Sequence, residues 1–169
     1  MMKAPPLLPA ETLHRVVQTA RLDGLSLFWL AGMFAVLSAY MGDRPGAVVG
    51  LLVAGAGALE LHGTSLLTHG VARGMNWLLA SQMVCFAVIM SYCAYSMMHV
   101  TIPPFPPTVN QMLEVSAKRM NMSRDEYVLM FYRLGFVLVA LATILYQGGM
   151  AVYYQRRRST IVRALSEES

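Results

Sequence analysis

Charge is what this chain lacks most. Asp, Glu, Lys and Arg make up 13% of its 169 residues, about half the share of an ordinary soluble domain. So little charge cannot wet the whole surface of a water-soluble fold, and a bilayer is the natural solvent. Cysteine is nearly missing. Cys85 and Cys93 share one apolar run, roughly 12 Å apart along a helix axis, too far for a disulfide within the chain. Both are expected to be small, polarizable core residues. No HExxH, CxxC or CxxCH string occurs, so no metal site, c-type haem or other cofactor is expected. A haem held between the His62 residues of two chains is the one such arrangement left open. No nucleotide-binding motif or nucleophile constellation stands out, which speaks against an enzyme.

A nucleic-acid partner is also excluded. The net charge of +4 comes largely from Arg156, Arg157 and Arg158, directly after an apolar span, where basic residues mark a cytoplasmic helix end. The opening MMKAPPLLPAETLHR has no apolar core followed by a small-residue cleavage site, so no signal peptide is expected. Glu11 and Asp23 break the basic pattern of a mitochondrial import sequence. The length allows one domain.

What the chain does have is apolar length. Residues 25–41, 47–67, 75–98 and 127–154 form four runs, each with the seventeen or so residues that a hydrocarbon core of about 30 Å demands. The predicted fold is all-α: an integral membrane four-helix bundle with an N-terminal amphipathic helix and an external helical loop. Residues 1–24 read as the amphipathic segment on the inner leaflet, because Leu13, Val16, Val17 and Ala20 recur at helical spacing. A helix packed against the protein's own spans is the alternative. Residues 25–155 form the transmembrane domain, and residues 156–169 a basic tail.

The turns carry their own signals. GDRPG and HGVARG connect the first three spans with breaker residues. The loop at 100–126 opens with the stiff TIPPFPPT. Two capping boxes follow, Thr108 with Gln111 and Ser123 with Glu126, predicting a helix over 109–120 and a restart at 127. Lys3, Arg15, Arg21, Arg73, Arg156, Arg157, Arg158 and Arg163 fall on one side, against Arg44, Lys118, Arg119 and Arg124 on the other. Both termini are therefore expected in the cytoplasm, with the protein in a bacterial inner (plasma) membrane.

Inside the spans the informative residues are few. Gly46, Gly50, Ala54 and Ala58 repeat every four residues, a small-residue face on which another helix can approach closely. Ser81, Cys85, Tyr92, Ser96 and His99 fall within roughly 60° on one face of span three, with Gln82 beside them. They are either interhelical hydrogen-bonding groups or the lining of a watered path. Glu60 and Arg133 are the ionisable candidates deep in the spans. A carboxylate facing lipid costs about 2.5–3.5 kcal/mol on insertion scales, so Glu60 must face protein, water or a partner charge. Arg133 is one candidate partner, while Gln82, Ser81 and Tyr92 are possible hydrogen-bond donors. His62 points about 200° away from Glu60 round its helix.

Two functions fit these residues. The first is a homo-oligomeric channel or transporter for a cation or proton, with Glu60, Arg133, His62, Ser81, Gln82 and Tyr92 as the polar intramembrane candidates. The alternative is a non-catalytic membrane subunit or scaffold, docked to other subunits through Glu60 and Arg133. The partners expected are the lipid bilayer and either further copies of this chain or other membrane subunits.

Overall fold

A computed structural model describes residues 9–100, 102 and 105–167. These residues are helical apart from short connections. The helices are α1 (Pro9–Tyr40), α2 (Arg44–Thr68), α3 (Gly74–Met98), α4 (Pro107–Arg119) and α5 (Arg124–Glu167). The segments Ala10–Tyr40, Arg44–Thr68, Gly74–Met98 and Arg124–Ser166 are long and apolar enough to cross a membrane.

The amphipathic segment and the first span are one helix of 32 residues, not two elements, and residues 1–8 lie outside the described part. Thr12, Val16, Ala20, Asp23, Ala35 and Ser38 are buried along it, with Leu27 and Ala31 half-buried between them. Their spacing of three and four residues holds one face of an α-helix, so nothing interrupts the helix between amphipathic stripe and span.

The turns form where the breaker residues stand. Gly42 takes the left-handed conformation at φ 79°, which glycine adopts without a Cβ clash. Asp43 caps α2 by accepting a bond from the Gly46 amide at 3.1 Å. Gly70, at φ 76°, turns the chain between α2 and α3. Helix α4 starts at Pro107, behind the N-cap residue Pro106, with no side-chain cap. The predicted Thr108–Gln111 box is therefore not the start, because Pro107 already supplies a helical φ and lacks the amide that a cap would satisfy. The Ser123–Glu126 box is made in full. The Glu126 carboxylate accepts from the Ser123 amide at 2.9 Å and hydroxyl at 2.8 Å, and the Glu126 amide donates back to the Ser123 hydroxyl. It launches α5, whose 44 residues rise roughly 66 Å. The segment after Arg158 continues this helix, and Ile161 and Leu165 are buried.

The chain divides into two compact units. One comprises Met1–Ile89 with Ile144–Ser169, the other Met90–Thr143; α3 and α5 contribute to both. In the first, α1 and α2 touch backbone to backbone. A Cβ on Gly57 would fall 2.7 Å from the Phe28 nitrogen and 2.8 Å from the Gly24 carbonyl oxygen, and one on Gly50 would lie 2.8 Å from Ala35. Gly46, Gly50 and Ala54 are buried and Ala58 is exposed, with Gly57 taking the next buried place. A strict four-residue repeat drifts about 40° per step round a helix of 3.6 residues per turn, so the fourth member leaves the contact. Two apolar clusters flank the middle of this unit. One joins Val16, Ala20, Leu67, Met75, Leu78, Tyr154, Ile161 and Leu165. The other joins Val53, Ala56 and Cys85, with Leu27, Ala31 and Val88 packed against it.

The second unit is aromatic and open. Phe105, Val109 and Leu113 face Tyr127, Phe131 and Tyr132 across a groove of about 300 Å³. Tyr92 meets the Phe136 ring edge to face at 6.1 Å.

Candidate functional site

Between the two apolar clusters of the first unit lies a layer of polar side chains drawn from all four long helices. Asp23 comes from α1, Glu60 from α2, Gln82 from α3, and Tyr146 and Tyr154 from α5. Glu60 and Gln82 each stand eight residues from the turn that joins α2 to α3, about 12 Å along either helix, so they meet at one level. Glu60 is 0% exposed, Gln82 1% and Asp23 6%.

The Gln82 amide nitrogen is the hub. It donates to Asp23 Oδ2 and to both Glu60 oxygens, Oε1 and Oε2, at 3.1 Å in each case. The Tyr154 hydroxyl donates to Glu60 Oε1 at 2.6 Å, and the Tyr146 hydroxyl donates to Asp23 Oδ1 at 2.6 Å. Every carboxyl oxygen of the pair thus accepts at least one hydrogen bond, and the two tyrosine bonds are the shortest of the layer. Among the described residues no Lys or Arg bonds to either carboxyl. Two acidic groups share one amide.

Two acceptors in and beside the layer have no partner. Gln82 Oε1 and Gln147 Oε1 are buried and accept no hydrogen bond. Gln147 donates through its nitrogen to the Cys85 sulfur at 3.3 Å. A buried polar atom left unpaired costs about 1–3 kcal/mol, and such atoms in a folded protein ask for a function or a bound species.

The candidates named from sequence are spread over several environments. Glu60 and Gln82 come together. Ser81 donates instead to the Ala56 carbonyl of α2 at 2.8 Å, a packing bond one position away from the layer. Tyr92 is half-buried in the other unit against Phe136. His62 is exposed, its ring edge to face with Trp77 at 5.2 Å. Arg133 is exposed on α5 in the second unit. Among the described residues no group of three or more His, Cys, Asp or Glu side chains could hold a metal ion.

Asp23, Tyr146, Tyr154 and Gln147 were missed by sequence reasoning. In the sequence Asp23 falls within residues 1–24, the segment expected on the inner leaflet. The signal for it was its register: it falls three residues after Ala20 and four before Leu27, on the same buried stripe. The two tyrosines stand eight residues apart on α5 near its basic end, where tyrosine usually marks the membrane interface. Nothing local distinguishes them from that role. Comparison with protein-family models, with curated proteins and with solved structures finds no match for this chain.

Proposed function

We propose that this protein is a small homo-oligomeric membrane transporter for a cation or proton, with the Asp23–Glu60 pair as its binding site. One observation carries the reading: two buried carboxyls converge on a single amide, and among the described residues no Lys or Arg is bonded to them. Taking an ion out of water costs several kcal/mol even after relaxation. Ionisable groups kept inside membrane helices at such cost mark ion paths and proton relays. The layer is closed above and below by apolar clusters, which suits a carrier that rearranges around its site better than a standing pore. The excess of basic residues on the side of both termini supports a cytoplasmic location for them, in a bacterial inner membrane under this reading.

Flux into liposomes tests the proposal. Glu60→Gln and Asp23→Asn should each reduce proton or alkali-ion flux at least tenfold, while His62→Gln leaves it unchanged. Wild-type flux in both carboxyl variants overturns the site. The mass of the purified particle in detergent tests the assembly, and a monomer refutes it. External labelling of Glu114→Cys by an impermeant maleimide, with Cys85 and Cys93 replaced by Ala, tests the orientation.

A second reading draws on Arg133, an exposed guanidinium on a membrane-length helix. Such a charge suits docking to an acidic residue of another membrane subunit. Under that reading Arg133→Leu abolishes co-purification of a partner and leaves the monomer's melting temperature unchanged.

A further inference from the structure

We infer that the polar layer binds a dehydrated alkali cation, and that the Gln82 amide group holds the cation's place when the site is empty. The inference rests on the transporter reading and names its substrate class.

The geometry begins with the amide nitrogen. It sits 3.1 Å from Asp23 Oδ2 and from both Glu60 oxygens, a point surrounded by three carboxyl oxygens. A partial positive charge stands there now. On the other side of the same group, Gln82 Oε1 is buried and unpartnered, in a residue only 1% exposed. Rotating the terminal amide by half a turn exchanges the two atoms. If the side chain also withdraws, a cation can take the nitrogen's place, with the orphan oxygen as a ligand beside Asp23 Oδ2 and the two Glu60 oxygens. That arrangement is a cation site.

The free acceptors point to a cation, which uses several oxygens at once. An ionised carboxylate only accepts, and all four carboxyl oxygens accept here. A proton takes a single free lone pair, whereas a cation draws on several of these oxygens at once and gives the orphan Gln82 oxygen a partner as well. The tyrosine hydroxyls stay on Asp23 Oδ1 and Glu60 Oε1 and offset the negative charge that one alkali ion leaves. Magnesium fits less well. Magnesium keeps several waters in an octahedron, and Glu60 and Gln82 are almost wholly buried.

The test is thermal unfolding of the purified protein in detergent at fixed pH. Sodium, potassium or lithium chloride is titrated against choline chloride at constant ionic strength. A ligand that binds only the native state raises its melting temperature saturably. At least one alkali ion should do so, and choline should not. The saturable shift should vanish in Glu60→Gln and Gln82→Leu and persist in Arg133→Gln. No alkali effect in the wild type overturns the inference, whatever the variants do. A shift in Gln82→Leu as large as the wild type's overturns the role of the amide. If the melting temperature follows pH through Glu60 and no alkali ion matters, the proton form of the transporter reading stands and the cation falls. If neither pH nor alkali ions act through Glu60, both fall together.

Discussion

The two units of this protein solve the problem of packing in lipid by different means. In Met1–Ile89 with Ile144–Ser169 the helices approach so closely that Gly24 and Gly57 place backbone against backbone. Polar groups from four helices then interlock in a buried layer. In Met90–Thr143 the contacts are aromatic rings and aliphatic edges around an open groove, and Ala117 and Val128 are among its few fully buried apolar residues. Lipid tails are as apolar as leucine, so apolar contacts alone give helices little reason to associate in a membrane. The first unit draws on the stronger devices, close backbone approach and hydrogen bonds. The second does not, and its surfaces are free to adapt.

The sharpest way to break this contrast is to put bulk into each unit. Gly57→Leu drives a side chain into the Phe28 backbone, whereas Gly135→Leu in the other unit enters open space. Overpacking typically costs about 1–3 kcal/mol and occasionally more, and rigid backbone gives least. Gly57→Leu should therefore lose about 3 kcal/mol in thermal or denaturant unfolding, and Gly135→Leu almost nothing. Equal losses at the two positions end the comparison. Ala54→Leu should fall between them, since Ala54 is buried but already carries a Cβ.

A smaller effect is expected from Tyr154→Phe. It removes one hydroxyl, the donor to Glu60 Oε1, and leaves the ring in the apolar cluster with Leu67 and Ile161. A hydrogen bond to a charged group is worth about 1.5–3 kcal/mol, and the Gln82 amide still serves the carboxyl. A loss near 1.5 kcal/mol is expected. In the Glu60→Gln background the same change should cost clearly less, and the difference is the coupling energy. Additive losses would show that the hydroxyl does not act through Glu60.

The helical architecture was legible in the sequence because the lengths of the apolar runs leave little choice in a membrane. Each turn stands on its glycines, Asp43 or Ser123, whose local chemistry acts without help from distant residues. The site was legible only by half. Glu60 announces itself as a carboxyl within an apolar run, but its partners are set by which faces of four helices meet. Gln82 could be named as a donor because it borders the polar stripe of span three. Asp23 falls within residues 1–24, expected as a separate amphipathic segment, because the apolar run begins only at residue 25. Helix continuity through that point comes from packing on α2, with Gly24 against Gly57, and pair contacts of this kind carry no single-sequence mark.

The smallest expected effect concerns the start of α5, which lies in the looser unit. The Ser123–Glu126 box satisfies amides that the first helical turn leaves without partners. Replacing an N-cap Ser by Ala typically costs about 1 kcal/mol. In a unit with few buried contacts that cost should appear as local fraying and not as global unfolding, since openings of low free energy stay confined to weakly packed segments. Ser123→Ala should speed amide hydrogen exchange over residues 124–128 by roughly fivefold, because about 1.4 kcal/mol corresponds to tenfold. The midpoint of unfolding should stay within about a degree. Glu126→Gln keeps an acceptor for the Ser123 amide but gives up the negative charge that favours a helix N-terminus by about 0.3–1 kcal/mol, so its exchange should quicken less. If Ser123→Ala lowers the global midpoint as much as Tyr154→Phe does, the two units unfold as one, and the difference in packing between them carries no difference in stability.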